Sequence, residues 1–313
     1  MKTILVTGAS GFVGKHLVEL LLQEDHLIVA TTSSNTKSIT NAKVIWEKCD
    51  IQSIEDIQNL FSYYQFDEIY HLAAKAITTD SISKDYYQIN TVGTVNILSV
   101  LANIKYKGKI LLVSTSFVYG DAENNPIKED DRVNPVNDYA ASKAAMEIAA
   151  LSFINRGLHI LIARPFNHTG PHQQDHYVCS DFSRQFAQMK LNKRNNEIIV
   201  GNIEVERDFT DVRDIVKGYR ELMKSNMSFG VYNLCSGYAI QLKTIIETLE
   251  KISDIKVNIK VDQQRLRVND IQKIYGDYQK INDAIGWKPQ IPLEKTIKDL
   301  YEYWLEKEKN VEK

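Results

Sequence analysis

The sequence has 313 residues, enough for about two domains, and 43% of them are hydrophobic and 25% charged. Its formal net charge of -2 comes without a basic stripe, so nucleic acid is not an expected partner, and no apolar run reaches the ~18 residues that a membrane span needs. Cys49, Cys179 and Cys235 lie far apart and have neither the spacing of a disulfide framework nor that of a metal site, so we expect a cytoplasmic protein without a metal.

The first half of the chain alternates between apolar, β-branched runs and runs with helical spacing. Strands are predicted at "TILVT", "LIVATT", "KVIWEKCD", "DEIYHLAA" and "KILLVST", with helices at "VGKHLVELLLQED" and "SIEDIQNLFSYY". Ser53 stands three residues before Asp56, which is typical of a capped helix start. Because strands that are buried on both faces and separated by helices form parallel sheets, the predicted class is α/β with a doubly wound parallel sheet.

The pattern changes after "LHILIARPF", where the loops lengthen and helices such as "SDFSRQFAQMKL" follow less regularly. This change predicts a smaller, interrupted C-terminal domain. The later segments "FTDVRDIVKGYRELM" and "GVYNLCS" have patterns that suit a return to the first domain. We therefore predict a first domain of residues 1–165 plus 209–236 and a second domain of residues 166–208 plus 237–313.

A glycine-rich turn, "TGASGFVG", joins the first predicted strand to the first predicted helix. Gly8, Gly11 and Gly14 allow the backbone to turn tightly and to approach a pyrophosphate group closely. The helix start then offers free N–H groups and the positive end of the helix dipole. This strand–turn–helix context predicts that the first domain binds a dinucleotide.

The segment "YAASK" contains the residues expected to carry the chemistry. Tyr139 and Lys143 are four residues apart and therefore share one helical face. A tyrosine with its ordinary pKa of about 10 is a poor base. An ammonium group one turn away, together with the charge of a nicotinamide ring, would favour the phenolate form. Tyr139 can then exchange a proton with a substrate hydroxyl while a hydride moves to or from the nicotinamide.

The Gly-x-x-Gly-x-x-Gly spacing, together with "VSTSFVYG" and "YAASK", resembles the extended branch of the short-chain dehydrogenase/reductase superfamily, which has a Rossmann fold. Alignment on "VYG", residues 118–120, places the third catalytic residue at Thr115, beside Tyr139 and Lys143. Asn90 matches a further family position and is interpreted as structural. The cofactor contacts that the resemblance implies are Gly8, Ser10, Gly11, Phe12, Val13, Ser33, Asp50, Ile51, Leu72, Ala73, Ala74, Tyr139, Lys143 and Pro165.

The end of the second predicted strand, "ATTSSNTKS", bears on which nicotinamide cofactor binds. It carries no Asp or Glu for an adenosine ribose and no Arg for a 2′-phosphate. Ser33 and Ser34 can hydrogen-bond either group. NAD(H) is favoured because no cation stands at the turn, and Lys37 a few residues on keeps NADP(H) open. Asp50 has a second interpretation, as a loop cap, beside its predicted contact with adenine.

Two later segments, "RPFNHTGPHQ" and "VGNIEVERDFTDVRD", resemble GDP-mannose-type sugar enzymes, and GDP-4-keto-6-deoxy-D-mannose reductases in particular. With "GDYQKINDAIGWKP" the likeness covers nearly the whole chain. It implies a GDP-linked sugar bound through Thr115, Asn167, Val200, Asn202, Arg207 and Arg267, where the arginines give the charge-assisted donors that a diphosphate needs. Because Val268 replaces the proline usual in the family, Arg267 is alternatively an ordinary surface arginine. Val200 and Asn202 are alternatively an ordinary strand end.

Phe117 stands inside the predicted catalytic loop and limits the reaction. At this position the GDP-mannose 4,6-dehydratases carry a glutamate that removes the C5 proton, and fucose synthases carry a cysteine for proton transfer. Phenylalanine has no titratable proton and provides only an apolar wall. The sequence therefore predicts hydride and proton exchange at one carbon, C4, unless another residue supplies the missing base.

The function predicted is an NAD(P)-dependent oxidoreductase acting at C4 of a GDP-sugar, either as a 4-keto reductase or in reverse on a GDP-hexose or GDP-heptose. The histidine-rich loop "NHTGPHQQDHYVCSD" is expected to line the sugar pocket. A C4 epimerase is the alternative within the same class. A cofactor-sensing binding protein is the alternative of another class, although such proteins typically lose the Tyr–Lys pair. The resemblance also implies a homodimer, in which helices near residues 86–103 and 139–154 form a four-helix bundle.

Overall fold

The computed structural model describes residues 1–34, 37–76, 82–266 and 271–310. Its strands are β1 (Lys2–Thr7), β2 (His26–Thr32), β3 (Val44–Lys48), β4 (Glu68–His71), β5 (Lys109–Val113), β6 (His159–Pro165), β7 (Asn167–Thr169), β8 (Glu197–Val200), β9 (Glu206–Arg207), β10 (Phe209–Asp211), β11 (Gly230–Leu234), β12 (Ile240–Gln241), β13 (Asn258–Val261) and β14 (Lys273–Ile274). Its α-helices are α1 (Phe12–Leu21), α2 (Ile54–Tyr63), α3 (Ser83–Tyr86), α4 (Thr94–Asn103), α5 (Asp138–Asn155), α6 (Val178–Lys190), α7 (Val212–Lys224), α8 (Leu242–Ser253), α9 (Gln279–Ile285) and α10 (Leu293–Asn310). A π-helical segment, Tyr87–Gly93, leads into α4, and short 3-10 turns cover Ser116–Tyr119 and Gln263–Arg265.

In the described part of the chain, a seven-stranded sheet has the order β11-β6-β5-β4-β1-β2-β3, and every neighbouring pair is parallel. The chain builds β1, β2 and β3 outward and then returns to place β4 on the other side of β1. The strand order therefore reverses between β1 and β4, and a crevice opens at the carboxyl ends of these two strands. This topology confirms the predicted doubly wound α/β class, and β11 shows that "GVYNLCS" returns to the sheet.

Alternate residues of the strands supply two apolar layers, one on each side of the sheet. Ile4 and Val6 of β1 pack in one layer with residues of α1 and α7, whereas Leu5 packs in the other with residues of α2, α4 and α5. This division follows from the period of two along a strand. Helix α2 begins at the predicted cap, because the Asp56 N–H donates to Ser53 Oγ over 3.1 Å. Among the described helices, none combines the length and apolar composition of a membrane span.

A separate apolar cluster joins α6, α8 and α10 to β8. Phe186, Leu249 and Leu300 are fully buried at its centre. The domain division remains a prediction. Ile281 and Trp287, which lie after residue 237, pack in the apolar layer of α1 and α7. The reason is local, since the indole N–H of Trp287 donates to the carbonyl of Asp214 over 3.0 Å.

Candidate active site

The glycine-rich turn sits at the crevice and leaves room for a dinucleotide. Gly8 has a φ of +68°, and a Cβ on it would lie 2.7 Å from the backbone N of Ala73 at the end of β4. A Cβ on Gly14 would lie 2.4 Å from the carbonyl oxygen of Gly8, so α1 packs directly on the turn. At Gly11 no described side chain caps the start of α1. The exposed N–H groups and the dipole of this helix suit a pyrophosphate, so the residues present fit a dinucleotide.

A buried hydrogen-bond chain fixes the ends of β1 and β4 relative to each other. Thr94 donates its hydroxyl proton to the carbonyl of Asn90 over 2.7 Å, so it accepts the proton of His71 Nε2 over 2.9 Å. His71 Nδ1 then accepts the hydroxyl of Thr7 over 2.7 Å, and Thr7 Oγ1 accepts the N–H of Ala73 over 3.1 Å. Burial lowers the pKa of His71 to about 3, so the ring stays neutral and this chain of donors is permanent.

The end of β2 lies beside the turn and offers hydroxyl groups. Ser10 Oγ donates to Thr32 Oγ1 over 3.2 Å, and Thr32 Oγ1 lies 3.1 Å from Ser34 Oγ. Ser33 and Lys37 are exposed. Hydroxyl groups can accept hydrogen bonds from the ribose of NAD and can donate them to the 2′-phosphate of NADP. The described part of this strand end is therefore compatible with both cofactors.

The predicted adenine-side and cofactor-lining residues are distributed over three strand ends and the start of α1. Asp50 acts as the loop cap, because its Oδ1 accepts the N–H of Gln52 over 3.0 Å, and its contact with adenine stays a prediction. Ile51 is buried against Gly93. Leu72, Ala73 and Ala74 follow β4 beside the glycine-rich turn, Phe12 and Val13 begin α1, and Pro165 ends β6.

The three predicted catalytic residues meet where β5 faces the start of α5. Tyr139 and Lys143 lie on one face of α5, and a side-chain hydrogen bond joins Thr115 to the Tyr139 phenol. Lys143 Nζ donates to the carbonyl of Val113 over 2.7 Å. The Thr115 hydroxyl also accepts the N–H of Phe117 over 3.2 Å, which holds the loop after β5 in a 3-10 turn.

Burial acts on the protonation of both residues of this pair. Burial raises the pKa of Tyr139 to about 12, and its hydrogen bond with Thr115 opposes that rise only in part. Burial lowers the pKa of Lys143 to about 8. The sequence predicts a phenolate favoured by Lys143 and by a nicotinamide charge together. The protein's own groups, without a nicotinamide, favour the protonated phenol because desolvation dominates, and the effect of the nicotinamide charge stays a prediction.

Aromatic rings surround the Tyr139 phenol. The ring of Phe117 lies edge-to-face with it at 6.3 Å between centroids, and Tyr86 packs likewise at 6.0 Å. Tyr177, at the start of α6, interacts electrostatically with Tyr139, and burial raises the pKa of Tyr177. The sequence analysis quoted Tyr177 only within the histidine-rich loop and did not single out Tyr86. Neither residue stands in a motif, so only the folded chain identifies them.

The candidate substrate residues Asn167 and Arg207 lie around a buried carboxylate that the sequence analysis did not identify. Asp208 accepts hydrogen bonds from the Ser236 N–H and hydroxyl, both over 2.7 Å, and from the N–H groups of Gly237 and Gly276. Burial raises its pKa to about 6. The Asn167 amide donates to the Asp208 carbonyl over 3.2 Å, and Arg207 is the preceding residue of the chain. Asp208 therefore ties β7, β9 and β14 to the segment after β11.

The remaining predicted substrate contacts are Val200, Asn202 and Arg267. Val200 is fully buried in the apolar cluster of the second half, so its side chain cannot wrap a base and only its main chain is available. The Asn202 side chain accepts the N–H of Glu204 over 3.1 Å, which supports the strand-end interpretation. Arg267 lies outside the described residues.

The histidine-rich loop packs on the cofactor helix. The ring of His168 stacks on Phe12 at 6.0 Å with an interplanar angle of 6°. His16 of α1 donates from Nε2 to the carbonyl of Pro171 over 2.8 Å, and Lys15 Nζ lies 3.0 Å from His172 Nε2. These three contacts join the loop to α1. A role of the remaining loop residues in the sugar pocket stays a prediction.

Comparisons with known proteins place these features in context. Residues 5–300 match the family described as GDP-mannose 4,6 dehydratase. The chain is 33% identical over 306 residues to the GDP-6-deoxy-D-mannose reductase of Pseudomonas aeruginosa, with 96% of each chain covered. It is 30% identical over 286 residues to the GDP-6-deoxy-D-talose 4-dehydrogenase of Aggregatibacter actinomycetemcomitans, with 90% of this chain and 91% of that chain covered. A solved structure of RMD from Pseudomonas aeruginosa complexed with NADPH resembles it with a TM-score of 0.87 at 32% identity, over 98% of this chain and 100% of that chain.

Proposed function

Because the chain belongs to the GDP-mannose 4,6-dehydratase family, within the extended short-chain dehydrogenases/reductases, we propose that it is an NAD(P)-dependent oxidoreductase acting at C4 of a GDP-linked sugar. The observation that carries this proposal is the pairing of Phe117 with Tyr139, whose rings lie 6.3 Å apart. The site retains a proton donor for one oxygen and has an apolar ring where a dehydratase needs a base. The names of the two relatives, a GDP-6-deoxy-sugar reductase and a 4-dehydrogenase, support the same reaction class.

The protonation of Tyr139 suits it to donate a proton to the C4 oxygen during reduction. A bound nicotinamide supplies or accepts the hydride. Tyr139, with its pKa raised to about 12 by burial, holds its proton at neutral pH and is ready to donate it to an oxygen that gains charge. Thr115 shares that oxygen through its hydroxyl and fixes where it lies. Lys143 keeps one donor on the Val113 carbonyl and has further donors for the cofactor ribose.

The nucleotide half of the substrate is assigned to Arg207 and Asn167. A diphosphate is best held by charge-assisted donors, and Arg207 is a partly buried guanidinium beside the Asp208 centre. Its NH1 group donates to the Glu206 carbonyl over 2.9 Å, which orients the guanidinium. Arg267 would add a second charge. The sugar is a hexose or a heptose, and NAD(H) is favoured over NADP(H) by the lack of a cation between Thr31 and Ser34.

The direct test is incubation of the protein with a GDP-4-keto-6-deoxyhexose and either NADH or NADPH. We expect consumption of the reduced nicotinamide and formation of a single C4 alcohol, identified by NMR. A C4 epimerase would instead interconvert the two C4 alcohols without net use of cofactor. A cofactor-sensing protein would bind the cofactor and turn nothing over. No consumption of either cofactor with hexose or heptose substrates would contradict the proposal.

GDP should raise the melting temperature of the protein more than UDP or TDP does at the same concentration. A ligand that binds only the folded state stabilises it in proportion to the logarithm of its concentration over Kd. Thermal denaturation with the three nucleotides measures this directly. An equal shift for all three, or the largest shift with UDP, would contradict the assignment of guanine.

We further propose that a second copy of this chain covers an apolar face on α5 and on the segment before α4. Ile148 is 67% exposed and Leu151 is 54% exposed on α5, and Val92 is 41% exposed before α4. Helix α5 also buries its other face against the sheet. A helix that is apolar on both sides, in a protein with a net charge of -2, is stabilised when a partner helix covers its exposed side. Twofold pairing of these two helical segments gives a four-helix bundle.

Ile148→Asp should therefore convert a dimer into a monomer. The change places a charge at the centre of the proposed contact, where desolvation opposes pairing. Light scattering coupled to size exclusion measures the mass. Ile54→Asp on α2 is the control, because Ile54 is 50% exposed on another surface and should leave the mass unchanged. A wild-type protein that is monomeric at micromolar concentration would rule the bundle out.

A further inference from the structure

A buried carboxylate lies one turn beyond Lys143 on α5 and belongs to none of the predicted sites. Glu147 accepts two hydrogen bonds from the guanidinium of Arg164 on β6, from Nε over 3.0 Å and from Nη2 over 2.6 Å. It also accepts the hydroxyl of Ser114. Ser114, Glu147 and Arg164 are exposed by only 3%, 6% and 5%. The structure thus removes a full ion pair from water directly behind the catalytic loop.

The same guanidinium continues the network into the loop that carries Phe117. Arg164 donates from Nη1 to the Tyr119 hydroxyl over 2.9 Å, and that hydroxyl donates to Asn233 Oδ1 over 2.7 Å. The Asn233 amide donates in turn to the carbonyl of Ile127 over 3.0 Å. Hydrogen-bonded charges in a dry environment rigidify the segments that they join. Segments from β5, α5, β6, β11 and the loop around residue 127 are therefore held as one unit.

Side chains of α5 contact the end of β5 and the residues just after it. Val113, which ends β5, and the two residues that follow it each bond to one of three residues that are four positions apart on α5. Val113 accepts from Lys143, and Thr115 bonds to Tyr139. Ser114 lies between them and is the residue that bonds to Glu147. The contact of Ser114 is thus a third connection between this segment and α5.

We propose that Glu147, held by Arg164, is a positioning residue that sets the register between β5 and α5 and keeps the Lys143 side chain in its charged form. Through Ser114 it places Thr115 against Tyr139, and its carboxylate offsets the loss of water around the neighbouring ammonium group. The inference rests on the proposed catalytic roles of Tyr139 and Lys143. It adds a residue that touches neither substrate nor cofactor.

The charges around Lys143 explain how Glu147 keeps the Lys143 side chain charged. Burial lowers the pKa of Lys143 to about 8, and the Glu147 carboxylate acts in the opposite direction. Among the residues that the structure describes, the other titratable or charged groups near Lys143 include His71 at the end of β4, which is neutral, Tyr139 on the same helix, and Arg164 behind Glu147. Lys143 is charged below its pKa and loses the proton as the pH rises through it. Removal of the carboxylate charge therefore moves this loss to lower pH.

The chain contains a matched control, a second buried ion pair at the opposite, amino-terminal end of the strands. Arg220 donates to Glu68 Oε2 over 2.6 Å and to the Tyr70 hydroxyl over 3.0 Å, which repeats the Glu–Arg–Tyr arrangement of Glu147. Glu68 and Arg220 are each 3% exposed. Glu68 begins β4, at the amino ends of the strands, away from the crevice. Glu68→Gln removes a charge of equal burial without touching the β5–α5 contacts.

Glu147→Gln keeps the shape of the side chain and removes its charge. We expect kcat to fall about tenfold or more with KM little changed, since a misplaced reacting group lowers turnover rather than binding. The alkaline limb of the kcat profile should move to lower pH by about half a unit or more. Glu68→Gln should lower the melting temperature comparably and leave both kinetic features as in the wild type. Equal kinetics in the two variants, or a wild-type profile in folded Glu147→Gln, would overturn the proposal.

Two further measurements keep the test decisive. If Glu147→Gln does not fold, Ser114→Ala removes only the hydroxyl contact: a fall in kcat at an unchanged pH profile supports the register role, and wild-type kcat overturns it. The affinity for NADH or NADPH as a function of pH needs no sugar substrate. As the pH rises, the affinity should begin to fall at a lower pH in Glu147→Gln than in the wild type. An unshifted curve overturns the electrostatic role even if the proposed sugar reaction fails.

Discussion

Replacement of Tyr139 by phenylalanine is expected to lower turnover by at least ~10²-fold, the usual scale for a positioned acid–base group, while the affinity for the cofactor stays near that of the wild type. The variant keeps the ring, so its edge-to-face contacts with Phe117 and Tyr86 persist. It loses the phenolic proton and the hydrogen bond to Thr115. The loss therefore reports on proton transfer rather than on packing.

The measurement compares kcat on a GDP-4-keto-6-deoxyhexose with the Kd of NADH or NADPH from nicotinamide fluorescence. Tyr86→Phe is the matched control, because its ring packs on Tyr139 at a similar distance and its hydroxyl has no proposed part in the reaction. We expect that control to keep most of the wild-type turnover. Near-normal activity in Tyr139→Phe would remove the phenol from the mechanism.

The second large expected effect is a complete absence of dehydratase chemistry, although the matched family is described by that activity. Elimination of water from the sugar needs a base that removes the C5 proton, and the ring of Phe117 stands beside Tyr139 where the family's dehydratases carry a carboxylate. Incubation of the protein with GDP-mannose and NAD should therefore yield no 4-keto-6-deoxy product.

Isotope labelling sharpens this expectation. With a 4-keto GDP-sugar and reduced cofactor carrying deuterium on either face, one face should deliver label to C4 alone. In heavy water, C3 and C5 should stay unlabelled once spontaneous enolisation in an enzyme-free control is subtracted. Enzymatic deuterium at C5 would show that another group supplies a base, and Tyr177 would be the first residue to replace, because it interacts with Tyr139 in the same pocket.

The histidine-rich loop makes contacts with α1 that its composition does not predict. Its composition suggests a polar lining for the sugar, but His168 stacks on Phe12 and Pro171 accepts a hydrogen bond from His16. The loop thereby connects the segment after β6 to the helix that faces the cofactor. A prediction from composition alone could not distinguish these two surfaces, because both require partly exposed polar side chains.

Asp208 and Glu147 are two further residues that sequence reasoning passed over. Each is an acid beside a recognised motif, and acids are usually on the surface. Their importance comes from burial and from partners far along the chain: Asp208 accepts from Ser236 and Gly276, and Glu147 from Ser114 and Arg164. Such partners cannot be assigned from one sequence.

The sequence by itself determined the doubly wound class, the glycine-rich turn and the spacing of Tyr139 and Lys143, since these depend on the periods of strand and helix and on residues close in the chain. Only the tertiary structure decided that Val200 faces a core, that burial raises the pKa of Tyr139, and that Val113, Ser114 and Thr115 each contact a residue of α5. These features arise from desolvation and from contacts between distant segments, which exist only once the chain has folded.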